Sequence, residues 1–249
     1  MSFKVYIPAR FDSTRLPGKL LENVGNWPLI RYAYERATQS SADQVVIATD
    51  DKRIASVSQQ FGARVSITAE QHDSGTDRIY EAVCTLKECE DTIIVNVQAD
   101  EPLISSRVID QVAEELSVSD ADIVTACEPL SRVEDLEDEN VVKVVRDDML
   151  NALYFSRSSI PFNRERTGDL QSALSAYKRH VGIYAYRVSY LKTFVVAPKS
   201  DYERLEQLEQ LRGLSRGDVI RVVDVIEPCG IGIDTPEELQ RFRLMISTQ

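Results

Sequence analysis

Short apolar segments alternate with helical patterns along the first half of the chain, and this alternation is the strongest constraint on the fold. Apolar runs predict strands at residues 5–8, 44–49, 63–68, 92–97 and 123–127. Helical patterns lie between them at residues 51–61 and 76–86. Such βαβ alternation predicts an α/β fold with a mostly parallel, Rossmann-like sheet and helices on both faces.

The second half of the chain is less regular. It contains predicted strands at residues 141–145, 181–186 and 220–225, a predicted helix at residues 203–214, and a last helix that Thr235 and Pro236 open as cap and first-turn residue. The polar residues 163–177 are interpreted as a mobile loop or the edge of a subdomain. We expect one domain over residues 1–249, with a small extension contributed by about residues 130–215.

The composition narrows the classes of function. A net charge of −11 argues against nucleic-acid binding, which depends on cations that neutralise phosphates, but it leaves room for a small nucleotide in a locally positive pocket. The four cysteines have no CxxC spacing, so a zinc site or redox dithiol is not expected. Without a secretory signal or an apolar run near the roughly 18 residues of a membrane span, we expect a cytoplasmic protein with no membrane partner.

A cationic loop follows the first predicted strand. Arg10, Arg15 and Lys19 are interleaved there with Ser13 and Thr14. Ligands of open α/β sheets bind beyond the carboxyl ends of the strands, and arginine, lysine and hydroxyl groups match phosphate oxygens. The loop therefore predicts a polyphosphate site, although a solvated surface loop with scattered charges would carry the same residues.

Acidic residues follow the strand at residues 92–97 and precede the last helix. Asp100 and Glu101 come just after that strand, and carboxylates facing a cationic loop are typical of a magnesium site, with Asp100 as the preferred ligand. Asp234 precedes Thr235 and Pro236, where ordinary helix capping is the simpler explanation from the residues alone.

Two common nucleotide-binding fingerprints are missing from the sequence. No GxGxxG follows the first strand, which argues against a nicotinamide enzyme, and no GxxxxGK[ST] is present, which argues against a P-loop NTPase.

Several polar residues stand among apolar neighbours or at a helix start. Ser74 and Gly75 lead into the helix at residues 76–86, where free backbone amides and a close backbone approach would suit an anion. Arg157 and His180 interrupt apolar segments, as do Glu209 and Gln210, and burial of such groups requires polar partners. A ligand with a carboxylate and several hydroxyls would supply them, but plain packing is the simpler explanation of each segment taken alone.

The motifs are IPARFDSTRLPGKLL, HDSGTDRI, VNVQADEPLI, YFSRSSIPF, RHVGIYAYR, LEQLEQLRGL and GIGIDTPEEL, and they span nearly the whole chain. Their order and content resemble the sugar-acid cytidylyltransferases, most closely the 3-deoxy-manno-octulosonate (Kdo) cytidylyltransferase family. The resemblance implies a sheet of the nucleotide-diphospho-sugar transferase type, with the extension serving sugar binding and dimerisation. It also implies a cytoplasmic homodimer that consumes CTP and Kdo for lipopolysaccharide synthesis with Mg²⁺ as cofactor.

The same resemblance assigns roles to individual residues. It implies that Asp100 and Asp234 are the metal ligands, so that Asp234 is more than a helix cap. It also implies that Arg10 and Lys19 act with these aspartates in catalysis. The residues implied to bind the nucleotide are Pro8, Ala9, Arg10, Ser13, Arg15, Lys19, Ser74, Gly75 and Arg78. The residues implied to bind the sugar acid are Gln98, Arg157, His180, Tyr184, Glu209 and Gln210.

The sequence departs from the family pattern at three positions near these motifs. Ala99 replaces a glycine, Leu20 replaces a proline, and Trp27 stands in a turn that has lost a lysine. These changes leave open a related substrate, such as 8-amino-3,8-dideoxy-manno-octulosonate or a nonulosonic acid. A non-catalytic nucleotide-binding regulator is the alternative from another class, and the presence of both Asp100 and Asp234 argues against it.

Overall fold

The computed structural model describes residues 1–12, 16–164, 174–230 and 232–247. The strands are β1 (Phe3–Ala9), β2 (Asn23–Val24), β3 (Trp27–Pro28), β4 (Gln44–Thr49), β5 (Arg64–Ile67), β6 (Ile93–Asn96), β7 (Ile123–Pro129), β8 (Lys143–Arg146), β9 (Ala152–Ser156), β10 (Lys178–Arg187) and β11 (Ile220–Asp224). The α-helices are α1 (Leu29–Thr38), α2 (Lys52–Gln60), α3 (Gly75–Thr85), α4 (Ser106–Val118), α5 (Glu134–Glu137), α6 (Val188–Phe194), α7 (Asp201–Glu206), α8 (Gln210–Arg216) and α9 (Pro236–Ser247). Short 3-10 helices span Lys19–Leu21 and Leu174–Ala176.

A nine-stranded sheet forms the centre of the fold. Its main order is β11-β7-β10-β6-β1-β4-β5, and β8 and β9 continue it from one end of β10. β1 pairs in parallel with β4 and β6, β4 with β5, and β7 with β11. β10 runs antiparallel to β6, β7 and β8. The predicted α/β fold is thus confirmed, with one reversed strand inserted between β6 and β7.

Both faces of the sheet are covered by helices. Along β1, Val5 and Ile7 pack in a core with apolar residues of α1, α2, α4 and α9, whereas Tyr6 packs on the opposite face with residues of α3, α6 and α8. Successive side chains of a strand point to opposite faces, so a strand buried on both sides reads as a continuous apolar run. This explains why the first strand was recognisable from four consecutive apolar residues.

The helix predicted over residues 203–214 is wrong. The chain forms α7 and α8 instead, because Gln207 adopts a left-handed conformation with φ of 53°. Leu205 is 81% exposed while Leu208 and Leu211 are buried, so the three leucines do not form one helical stripe. Four helices, α1, α4, α5 and α6, were not among the predicted elements, and β10 extends three residues before the predicted start at residue 181.

The polar segment at residues 163–177 is only partly described. Residues 165–173 lie outside the described residues, and residues 174–176 form a 3-10 helix. The single domain with an extension within about residues 130–215 stays a prediction. In the part of the chain that the structure describes, no helix combines the length and apolar character needed to cross a bilayer.

A buried ion pair joins α7 to α8 across the break at Gln207. The Arg212 guanidinium donates from Nε and Nη2 to both carboxylate oxygens of Glu203, at 2.9 and 2.6 Å, and both side chains are buried. Such a bidentate pair stabilises this turn only while both charges are present, because either one alone would be buried without compensation.

We expect Arg212→Met to lower the free energy of unfolding by about 3–5 kcal/mol, since it leaves the Glu203 carboxylate buried and unpaired. Urea unfolding followed by circular dichroism measures this. The matched control is Arg204→Met, which breaks only an exposed ion pair with Asp201 and should leave the unfolding midpoint unchanged. Equal midpoints for Arg212→Met and Arg204→Met would contradict the analysis.

Candidate active site

A cleft of about 240 Å³ opens at the carboxyl ends of β1 and β6. The residues that line it are Pro8, Ala9, Arg10, Lys19, Leu20, His72, Asp73, Ser74, Gly75, Arg78, Gln98, Ala99, Asp100 and Asp234. Most of the residues predicted to bind the nucleotide and metal therefore lie around one cavity. Ser13 and Arg15 lie outside the described residues.

Lys19 occupies the base of this cleft and is only 6% exposed. Its Nζ donates hydrogen bonds of 2.7 Å to the Asp100 carboxylate, the Asp234 carboxylate and the Ile233 carbonyl oxygen. Burial opposes the charged form, but the two carboxylates outweigh it and raise the pKa of Lys19. A single ammonium ion thus pairs with two acids that are distant in sequence.

Asp100 and Asp234 are brought together on either side of this ammonium. The loops that carry them are also joined by the backbone, because Ile233 N donates to Asp100 O at 2.8 Å. Helix capping, the alternative role of Asp234, is performed by its neighbours instead. The Thr235 hydroxyl accepts from Glu238 N, and the Glu238 carboxylate accepts from the backbone amides of residues 234 and 235, which is a capping box.

Glu101, the other acid after β6, lies apart from the cleft lining. Its carboxyl lies close to Gly182 and Gly232, so close that a Cβ added to either glycine would stand 3.6 or 3.7 Å from Oε1. Burial, reinforced by the nearby Asp100 charge, raises the pKa of Glu101 to about 7. Asp100 rather than Glu101 therefore presents its carboxylate to the cleft.

The start of α3 forms another wall of the cleft. The Ser74 hydroxyl caps the helix by accepting from Asp77 N at 3.1 Å. Gly75 packs against the end of β1 so closely that an added Cβ would lie 3.1 Å from Pro8 Cγ. The absence of a side chain at Gly75 therefore lets the amide-rich helix start approach the strand end, where an anion can use its free N–H groups.

The two arginines of the cleft differ in their surroundings. Arg10 is exposed at the rim, where its charge is available to a ligand. Arg78 is buried, donates from Nη1 to the Thr68 hydroxyl at 2.6 Å and lies 3.2 Å from the Asp50 carboxylate. Its position is therefore fixed by the residues that directly follow β4 and β5.

The residues predicted to bind the sugar acid are distributed over three places. Gln98 lines the main cleft. Tyr184, Glu209 and Gln210 line a second, small cavity of about 20 Å³ with Thr76 from the first turn of α3. The Thr76 hydroxyl donates to the Glu209 carboxylate at 2.5 Å, and burial raises the pKa of Glu209. The beginning of α3 thus separates the two cavities and contributes to both.

His180 and Arg157 lie outside both cavity linings. The His180 ring contacts the Tyr184 ring at a centroid distance of 5.5 Å, and its Nε2 lies 2.9 Å from the Thr125 hydroxyl. Arg157 donates to the backbone carbonyls of residues 206, 139 and 207 at 2.7, 2.8 and 3.4 Å. The structure therefore places His180 beside the small cavity and shows Arg157 joining two backbone segments, at residue 139 and at residues 206–207.

Four residues of the cleft were not assigned a role from the sequence: Leu20, His72, Asp73 and Ala99. His72 lines the cleft while its Nε2 lies 2.5 Å from the Glu81 carboxylate. Leu20 and Ala99 are buried apolar parts of the wall. Trp27, the third departure, lies in β3 with its ring 4.3 Å from the Arg31 guanidinium and does not line the cleft.

The donor set at the base of the cleft fits a divalent cation. Two carboxylates and a carbonyl oxygen already converge on one cation, the Lys19 ammonium, and oxygen donors of this kind suit Mg²⁺. Over the described ranges, no cluster of three or more His, Cys, Asp or Glu side chains is arranged to hold a metal. A metal at Asp100 and Asp234 would therefore complete its shell with water and substrate phosphates, as Mg²⁺ commonly does.

A Rossmann-like sheet whose strand ends present paired aspartates and cations defines the class as the nucleotidyltransferases. The family profile described as Cytidylyltransferase matches residues 5–221. The 3-deoxy-manno-octulosonate cytidylyltransferase of Cellvibrio japonicus is 46% identical over 99% of this chain and 98% of its own length. The enzyme of the same name from Ruthia magnifica is 47% identical over 98% of both chains.

A solved structure extends this similarity to three dimensions. It is titled as CMP:2-keto-3-deoxy-manno-octonic acid synthetase complexed with CTP, and it superposes with a TM-score of 0.88 at 37% identity over 99% of this chain and 98% of that one. The chain belongs to the cytidylyltransferase family.

The buried environment of His180 predicts a pH-dependent stability. Burial, with a smaller effect of the Arg179 guanidinium, lowers the pKa of His180 to about 3. In the unfolded chain the imidazole takes up its proton near pH 6.5, so between pH 6.5 and 3 the unfolded state binds more protons. Stability contributed by neutral His180 is therefore present above pH 6.5 and is lost as the pH falls through this window.

We expect wild type to lose about 2 kcal/mol more of its free energy of unfolding than His180→Gln when the pH falls from 7.5 to 5. Urea unfolding at four pH values measures this difference, which is independent of any constant loss caused by the substitution. Equal losses of the free energy of unfolding in wild type and His180→Gln over this pH range would contradict the lowered pKa of His180.

Proposed function

We propose that this protein transfers the cytidylyl group of CTP to 3-deoxy-D-manno-octulosonate and releases diphosphate. The C2 hydroxyl oxygen of the sugar acid attacks the α-phosphorus, an O–P bond forms, the α–β phosphoanhydride bond breaks, and the hydroxyl proton is released to solvent. The observation that carries the proposal is the convergence of Lys19, Asp100 and Asp234 in one cleft beside the start of α3. The identity of the sugar acid is inferred from the names of the relatives.

The nucleotide half of the reaction needs positive groups around the triphosphate. Arg10 at the rim and the amide-rich start of α3 at Ser74 and Gly75 are placed to hold phosphate oxygens as charge moves to the leaving diphosphate. Phosphoryl transfer depends mainly on such positioning and neutralisation of charge. Pro8 and Ala9 form the adjoining wall.

Asp100 and Asp234 would hold the Mg²⁺ ion. When bound, the ion would neutralise the α-phosphate and lower the pKa of the attacking hydroxyl, which removes the need for a dedicated base. The three contacts of Lys19 hold both carboxylates at the base of the cleft. With Mg²⁺ held by the two carboxylates, the Lys19 ammonium would be available to the phosphates.

The small cavity beside the cleft suits part of the sugar acid. Gln210 is buried, and its Nε2 makes no hydrogen bond with the part of the chain that the structure describes. Burial of such a donor is costly, so a sugar hydroxyl is a natural partner for it. Gln98, Tyr184, Glu209 and His180 would add further contacts.

The contact of Arg157 with the sugar carboxylate stays a prediction. Its three bonds to backbone carbonyls account for three of the five N–H donors of a guanidinium, so two donors remain for a bidentate contact.

The homodimer and the cytoplasmic location are likewise proposed from the family alone. An assay in which Kdo competes with a related sugar acid for CTP shows which of the two is the substrate. A non-catalytic role predicts that no diphosphate is released.

We expect Asp100→Asn to reduce kcat by at least about 10²–10³-fold while sparing the fold, because it keeps the size of the side chain and removes one charge at the metal site. Diphosphate release from CTP, Mg²⁺ and Kdo measures turnover. The matched control is Asp201→Asn on exposed α7, which should have wild-type activity. Turnover of Asp100→Asn within threefold of wild type would reject the metal assignment.

Replacement of Lys19 by methionine tests whether its ammonium competes with a divalent ion. Since the Lys19 ammonium occupies the space between both carboxylates, we expect Lys19→Met to bind Mn²⁺ about tenfold more tightly than wild type without nucleotide, a difference of about 1.4 kcal/mol. Electron paramagnetic resonance of free Mn²⁺ measures this binding. Lys19→Met/Asp234→Asn should lose the gain, and equal affinity in Lys19→Met and wild type would exclude the competition.

A further inference from the structure

The loop that carries Asp234 is anchored at its beginning by Arg179 of β10. The guanidinium donates from Nη2 to the carbonyl oxygens of Cys229 and Gly230, at 2.9 and 3.0 Å. It also donates from Nε and Nη2 to the Glu128 carboxylate, at 3.0 and 2.5 Å. Glu128 in turn accepts from Cys229 N at 3.2 Å, which closes the network.

These contacts supply hydrogen-bond donors to backbone carbonyls at the beginning of the loop. Cys229 and Gly230 lie after β11 and outside the sheet, and their carbonyls need donors because unpaired buried backbone groups are costly. Arg179 and Glu128 face each other on β10 and β7, and both side chains are less than one-fifth exposed. Both donors of Arg179 meet the same oxygen of Glu128, Oε1, and an ion pair at such burial is weakly screened.

The same loop is pressed against the segment that carries Asp100. A Cβ added to Gly230 would lie 2.5 Å from Leu103 Cβ, so the two segments touch with no spare room. Farther along, Ile233 N bonds to Asp100 O and Lys19 bonds to Ile233 O. Arg179 therefore fixes the beginning of a loop whose end presents Asp234.

We propose that Arg179 is a positioning residue that sets the location of Asp234 through residues 229–230. This inference rests on the proposed function, because it takes Asp234 as a metal ligand. Arg179 directly precedes His180 in β10, so one strand connects the surroundings of the sugar cavity to the metal-binding loop. Supporting groups behind metal ligands of this kind typically change metal affinity by about 10–100-fold.

The test measures Mn²⁺ affinity in the presence of CTP by electron paramagnetic resonance. We expect Arg179→Met to weaken binding by at least about tenfold, and Arg179→Lys to be intermediate, because an ammonium can pair with Glu128 but cannot reproduce the guanidinium fork. KM for Mg²⁺ should rise accordingly. The matched control is Arg146→Met, which removes contacts to Asp224 and the Val222 carbonyl on β11, leaves the Arg179–Glu128 pair in place, and should keep wild-type affinity.

A double-mutant cycle separates positioning from general weakening of the fold. In an Asp234→Asn background, Arg179→Met should have little further effect on Mn²⁺ affinity, since the ligand that it positions is already altered. Mn²⁺ affinity of Arg179→Met within twofold of wild type would overturn the proposal. So would equal losses in the Arg146→Met control, or undiminished losses in the Asp234→Asn background.

If Arg179→Met does not fold, Glu128→Gln replaces it, because it weakens the contacts that Glu128 makes with Arg179 and Cys229 N. The same Mn²⁺ affinities then support or overturn the proposal. The proposed function is judged separately by diphosphate release from wild type with CTP and Kdo. Failure of that assay alone rejects the function, while the Mn²⁺ titrations still decide the role of Arg179.

Discussion

The ammonium of Lys19 is the contact on which the architecture of the cleft depends. It ties together the segment after β1, the segment after β6 and the segment before α9 through three hydrogen bonds of 2.7 Å. Without a cation between them, Asp100 and Asp234 would repel each other at this partly buried site. A protein with a net charge of −11 thus gathers two carboxylates by placing a positive charge between them.

The sheet explains why such distant segments meet. β1 and β6 are parallel neighbours, so the loops after both strands open on the same side. β10 lies reversed between β6 and β7, and it brings His180 and Tyr184 beside the small cavity. The start of α3 contributes to both cavities, and this shared wall would allow a nucleotide and a sugar acid to meet in a fixed orientation.

Two ion pairs hold the Asp234 loop from opposite ends. Arg179 binds its beginning with Glu128, and Lys19 binds its end with Asp100. Both cations bond to backbone carbonyls as well as to carboxylates, so charge neutralisation and loop geometry are coupled. The metal-binding function proposed for this loop would therefore depend on Arg179 and Glu128 as well as on Lys19.

The sequence by itself determined most of the strands, the strand-end location of the cleft and most of the residues that line it, because periodicity and turn chemistry are local properties. Partners 81 and 215 positions apart in sequence were decided only by the tertiary structure, which gave Lys19 its two carboxylates. The break between α7 and α8 at Gln207 and the backbone contacts of Arg157 could not be predicted from the sequence either, since both depend on packing between distant segments. Local pattern thus fixed what the elements are, while long-range contacts decided which side chains face one another.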